Sequence, residues 1–120
     1  MNDHEGFQLP EELSFSYGYG QYEQGTVSIR GMIVLGQHKL FLKGEAGEVP
    51  QTYIPLERIY KIRRLWPQGL EIHVRPSQMT EYAARIRVER PLEKDLLKDL
   101  ARRRNLKRRF LRAEWFDPNF

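Results

Sequence analysis

Hydrophobic and polar residues alternate with a period of two along most of this chain, and only near its end does the period lengthen to that of a helix. Leu13 to Tyr19 places Phe15, Tyr17 and Tyr19 on one side and Ser14, Ser16 and Gly18 on the other, as a half-buried strand does. The following Gly20-Gln21-Tyr22-Glu23-Gln24-Gly25 reads as a loop. Thr26 to Leu35 is again β-rich, with Val27 and Ile29 on one face and Gly31 marking a bulge or bend. After a turn at Gln37-His38, Lys39 to Lys43 sets Leu40 and Leu42 opposite Phe41. Gly44 to Pro50 reads as a polar loop, Gln51 to Ile54 as a short strand ended by Pro55, and Leu56 to Ile59 as a brief turn.

Tyr60 to Trp66 and Leu70 to Arg75 form a hairpin around Pro67-Gln68-Gly69, with Trp66 packing at its end. In the second arm Leu70, Ile72 and Val74 face inward, while Glu71, His73 and Arg75 face outward. Glu81 to Glu89 repeats the pattern, with Ala84, Ile86 and Val88 in and Arg85, Arg87 and Glu89 out. The total is about seven strands. Pro91 then opens a helix whose apolar stripe is Leu92, Leu96, Leu97 and Leu100, with Glu93 and Asp95 in the acid-favouring first turn. Arg103, Arg104 and Lys107 interrupt the stripe, and Leu106, Phe110, Leu111 and Trp115 resume it. Either one long helix with an eroded face or two helices broken near Asn105 fits this pattern, and the break fits slightly better.

Composition narrows the field. The chain has 120 residues, 40% of them hydrophobic, which suits one domain with a genuine core. There are no cysteines, so disulfides, thiolate nucleophiles and cysteine-ligated metals are excluded. No apolar run reaches the roughly 20 residues of a membrane span, and the acidic stretch 1–12 lacks the order of a secretory signal. The expectation is a soluble, cytoplasmic protein, with attachment to a membrane surface left open. The net charge of +4 is unevenly placed. Five acids and no Lys or Arg precede Arg30, whereas nine Lys/Arg face two acids between Lys94 and Arg112.

Gly25-Thr26-Val27 entering a strand, Lys39-Leu40-Phe41-Leu42 after a turn, Ile54-Pro55-Leu56-Glu57-Arg58-Ile59 before the fifth strand, and the helical leucines follow one another in a telling order. In that order the chain resembles the pleckstrin-homology (PH) superfold, in its bacterial PH-like and GRAM-like branches. The resemblance covers residues 13–104, leaving 1–12 as an acidic lead-in and 105–120 as a basic, aromatic extension. It implies a mostly β (α+β) fold, a bent antiparallel sheet or barrel with the helix plugging one end. Families of this fold bind phosphoinositides, peptides or themselves, so the fold alone names no function. Lipid-binding members carry several Lys/Arg in the first inter-strand loop; here that loop holds Glu23 and no base, and Arg30 alone does not rebuild the clamp. A phosphoinositide headgroup at the usual site is therefore not expected.

Three groups of residues are candidates for binding. Lys61, Arg63, His73, Arg75, Arg85 and Arg87 fall on the outward positions of consecutive strands, either as a patch for phosphate or an acidic surface or as an ordinary polar face neutralised by Glu71, Glu81 and Glu89. Arg102, Arg103, Arg104, Lys107, Arg108, Arg109 and Arg112 form a run dense enough to attract nucleic acid or an anionic membrane, or simply a solvated helix end. Leu106, Phe110, Leu111, Trp115 and Phe116 supply more apolar surface than a solvated extension needs, so they should pack either back on the barrel or on a neighbouring copy, and an association surface between copies is the expectation. Phe15, Tyr17, Tyr19 and Tyr22 read first as a core face and second as a stacking platform.

Catalysis finds no footing. His4, His38 and His73 lack ligand spacing, Gly18-Tyr19-Gly20 precedes a strand rather than a helix, and no serine sits in a nucleophile elbow. A cyclic-nucleotide-binding PilZ-like barrel is disfavoured, since no Asp/Asn-x-Ser-x-x-Gly motif follows an Arg pair. No catalytic, cofactor or metal residues are expected. The expectation is a non-enzymatic module for protein association, by self-association or membrane-proximal scaffolding. The alternative is a small nucleic-acid-binding barrel using the basic C-terminal segment.

Overall fold

Alternating segments with one apolar side must bury that side against each other, and here they do so in a single antiparallel sheet. The computed structural model describes residues 14–44, 47–77, 80–109 and 111–119, without the side chains of 47–51. The strands are β1 (Phe15–Gln24), β2 (Val27–Leu35), β3 (Lys39–Gly44), β4 (Gly47–Pro55), β5 (Ile59–Arg64), β6 (Leu70–Val74), β7 (Tyr82–Arg87), β8 (Lys107–Arg108) and β9 (Glu114–Phe116). A single 3₁₀ turn, Leu56–Arg58, joins β4 to β5, and the helix α1 spans Arg90–Arg103. The sheet order is β4-β3-β2-β1-β7-β6-β5-β9-β8. The expected mostly β fold with one helix after the seventh strand is what the chain adopts, and two short strands from the extension lengthen the sheet.

Several local expectations are corrected. Residues 20–24 continue β1, so the first turn is only Gly25-Thr26, and β4 begins at Gly47 rather than after the polar stretch. Phe15, Tyr17 and Tyr19 do not share a face. A bulge between Ser16 and Tyr19, with Gly18 at φ +85°, shifts the alternation by one residue. Tyr17 and Tyr22 end in the core, while Tyr19 turns outward opposite Met32. Val27, two positions from Ile29 on the same strand, is exposed beside the turn.

Gly20 and Gly31 sit opposite each other on β1 and β2, and this pair is where the sheet is pinched. A Cβ on Gly20 would collide with the Arg87 carbonyl oxygen, and one on Gly31 would lie 2.9 Å from that of Lys43. Neighbouring strands can therefore approach only because both side chains are absent. The curled sheet encloses one core that takes residues from β1 to β7 and from α1, including Ile33, Leu42, Ile54, Ile62, Ile72 and Ile86.

The helix closes one end of this core. Leu96, Leu97 and Leu100 are buried as the stripe predicts, each worth about 1.5–3 kcal/mol on full burial. Polar ties surround them. The Tyr17 hydroxyl donates to Asp99, and burial together with that carboxylate raises the phenol's pKa. The Gly69 N–H donates to Glu93 Oε2 at 2.6 Å, Arg103 Nη1 to the Gly36 carbonyl at 2.7 Å, and Arg104 Nε to the Ile59 carbonyl at 3.1 Å. Glu93, expected only as a first-turn acid, is thus a buried tether between helix and hairpin.

The helix ends as the break near Asn105 anticipates, but no second helix follows. Asn105 takes φ +54°, its N–H bonds the Arg102 carbonyl, and the Leu106 N–H bonds that of Ala101. These are the two hydrogen bonds of a Schellman cap, and they reverse the chain. Leu106 then enters the core, and β8 and β9 fold back as a hairpin on β5, in register Lys61 with Phe116, Ile62 with Trp115 and Arg63 with Glu114. Lys107–Arg108 and Glu114–Phe116 are consequently strands of the same sheet.

Candidate binding surface

The charged residues on the outer face of β5, β6 and β7 are ordered by register. One row crosses five strands as Glu23, Arg85, Glu71, Arg63 and Glu114, alternating in sign at every step. Glu71 Oε1 lies 3.2 Å from Arg63 Nη1 and 2.8 Å from His73 Nε2, and Oε2 lies 3.5 Å from Arg85 Nε. Burial pushes the Glu71 carboxyl up, but the hydrogen bond and charge of His73 and the charges of Arg63 and Arg85 outweigh it, so its pKa is lowered. Arg87 pairs with Glu23 at 3.4 Å, and Arg75 pairs with Glu81 at 2.5 Å while stacking on Tyr60. Of the six patch residues only Lys61 has no acidic partner among the described residues. The expected basic patch is a sign-alternating ladder, because opposite charges settle across strands.

The C-terminal basic run is also drawn inward. Arg103 and Arg104 bind backbone carbonyls, and Arg104 Nη2 pairs with Asp117 Oδ2 at 2.9 Å, both side chains largely covered. Arg109 pairs with Glu114 at 3.0 Å and lies 4.4 Å over the Phe116 ring. Arg108 binds the Arg112 carbonyl and lies 5.2 Å over Trp115, and Arg102 pairs with Asp99. Lys107 and Arg112 alone in this run have no such partner among the described residues.

The association surface expected at Leu106, Phe110, Leu111, Trp115 and Phe116 is not one patch. Leu106 is buried, Trp115 and Phe116 are half-buried, Leu111 is 85% exposed, and Phe110 lies outside the described residues. The hairpin buries Leu106 and half-covers Trp115 and Phe116 within the chain, because the Schellman cap turns it back onto β5.

A different apolar face is open. On the outside of β1–β4, Tyr19, Met32 and Lys43 form one cross-strand row, and Ser16, Val34, Phe41 and Tyr53 form the next. Tyr19 and Tyr53 are 51% and 46% exposed. Val34 is 8% exposed and stands apart from the core cluster. The Lys39 ammonium sits 5.2 Å from both the Phe41 and Tyr53 rings. Of these, only Tyr19 was among the candidates read from the sequence. The signal for Phe41 was its place opposite Leu40 and Leu42, which set it on the outer face.

Among the described residues no group of three or more His, Cys, Asp or Glu could hold a metal, and no helix is long and apolar enough to cross a membrane. Comparisons with protein-family models, with curated proteins and with solved structures returned no match.

Proposed function

We propose that this chain is a non-enzymatic, PH-like association module in which two copies meet through the aromatic outer face of β1–β4. The PH-like reading is supported by seven antiparallel strands followed by a helix that closes one end of a bent sheet. The observation that carries association is the row Val34, Phe41 and Tyr53 beside Tyr19 and Met32. A solvated sheet face is ordinarily polar, and here it is aromatic and apolar over adjoining strands. A closed two-fold contact of this face with itself hides it on both copies. Four strands at about 4.8 Å spacing give a patch at the small end of specific interfaces, so a weak dimer is expected.

Two other readings have less support. A nucleic-acid-binding barrel needs a free basic C-terminal run, and most of that run is engaged within the chain. The usual headgroup site has no basic turn, since Gly25-Thr26 is all that joins β1 to β2.

The test is light scattering on eluted protein across a concentration series. Full-length chain should rise from monomer toward dimer mass over tens to hundreds of micromolar. Tyr19→Ser with Tyr53→Ser should hold it at monomer mass without changing its melting temperature. A wild-type chain that stays monomeric to several hundred micromolar would overturn the reading.

A further inference from the structure

The two most exposed large apolar side chains among the described residues, Trp66 and Leu111, each 85% exposed, stand on neighbouring turns. β5 leaves the sheet at Arg64 toward Trp66, and β9 enters beside it, with the Arg64 N–H bonded to the Ala113 carbonyl at 2.9 Å. Both tips therefore project from the same end of adjoining strands. Tryptophan is normally among the better covered side chains, so one left bare on an anchored turn is unusual.

The Trp66 turn is held from behind. The Leu65 N–H bonds the Gly69 carbonyl at 2.8 Å, Gly69 N–H reaches buried Glu93, and Gln68 Nε2 bonds the Val88 carbonyl at 2.5 Å. Such a turn presents its indole without an ordering cost at the moment of binding. Arg90 lies 5.9 Å from the indole, and Arg112 lines a hollow beside the second turn together with Lys61, Arg63, Arg64, Ala113 and Glu114. Arg90 and Arg112 have no acidic partner among the described residues, while Glu89 is the exposed acid beside Arg90.

We infer that this end of the molecule docks on an anionic lipid surface, with Trp66 and Leu111 entering the interface and Arg90 and Arg112 meeting the headgroups. Two isolated tips offer little area for a folded protein partner, which needs a contiguous face of about 800 Å². Insertion of tips needs no such face, and an indole has its preferred position at the headgroup level. Unpaired arginines beside the tips supply the charge complementarity that selects anionic over neutral bilayers. The inference is independent of the dimer, because the aromatic face lies on β1–β4 and the tips on β5–β6 and β8–β9.

The experiment uses the full-length chain and sedimented vesicles of phosphatidylcholine, with and without phosphatidylserine, together with tryptophan emission. Binding should require phosphatidylserine and shift emission to the blue. Trp66→Ala with Leu111→Ser should lower binding at least tenfold, and Arg90→Gln or Arg112→Gln about fivefold each. Trp115→Phe should keep the blue shift and Trp66→Phe should lose it, which separates insertion from a general change in fold. Equal binding by the Trp66/Leu111 double variant, no binding to phosphatidylserine vesicles, or displacement by millimolar inorganic phosphate (the last marking a free-anion site) would each overturn the inference.

Discussion

Trp115 lies in β9 and is half-buried against the core, with the Arg108 guanidinium 5.2 Å over its ring. Trp66 lies on the adjoining turn and is 85% exposed, with Arg90 at 5.9 Å. Both are tryptophans near an arginine, on neighbouring hairpins, and the difference is one of register. Trp115 stands opposite Ile62, a fully buried position, so its side chain is directed at the core. Trp66 comes after Arg64 and Leu70, the last pair of its ladder, and has no strand to pack against. The same rule sorts the arginines. Arg104 and Arg109 fall where a carbonyl or carboxylate of the fold is within reach, and Arg90 and Arg112 fall at turns and ends where the described residues offer no acidic partner. Chemistry that looks alike in composition is structural when the ladder continues beneath it and available when the ladder stops.

The most direct way to break this comparison is at the joint that brings the C-terminal hairpin back. Leu106→Ala should cost about 2–5 kcal/mol by denaturant melting, as buried leucine truncations do. A loss under half a kcal/mol would mean that the hairpin is not docked and that Trp115 is as free as Trp66.

A smaller effect belongs to the ladder at the foot of the Trp66 turn. The native pKa of Glu71 lies below its ordinary 4.5, so its ion pairs stabilise the fold at neutral pH. That contribution is lost as pH falls from about 4.5 through the lowered native value, when the carboxyl protonates. Melts from pH 7 to pH 3 should show wild type converging on Glu71→Gln at the acid end, where the two differ least. Parallel curves over the whole range would remove Glu71 from the stabilising set.

The smallest effect sharpens the comparison from the other side. Trp66→Ala should change stability by no more than about 0.5 kcal/mol, the ordinary range for an exposed site. A larger loss would show that the indole packs, and would remove the reason to assign it a partner.

Much of the fold was legible along the chain. Alternation at Leu70 to Val74 and at Ala84 to Val88 identified which side of β6 and β7 is buried, and the leucine stripe identified the inner face of α1. The stop near Asn105 was legible too, since asparagine tolerates the left-handed conformation that a Schellman cap requires. Less of the binding surface could be read. The stretch after Asn105 resumed a helical spacing while its residues were to pair as strands, and short segments satisfy both patterns. The bulge at Gly18 hid the outward turn of Tyr19, because one inserted residue reverses every later position on the strand.

Local sequence alone determined the alternating strands β6 and β7, the one helix, its apolar face and its stop, because each depends on residues within a few positions of one another. Tertiary structure decided which charges cancel, which tryptophan is covered and which apolar face stays open. Those outcomes depend on partners far apart in the chain, such as Glu71 between Arg63 and Arg85, or Ile62 beneath Trp115. Cross-strand register brings such groups together, and register is set by bulges, turns and the burial of the whole core at once.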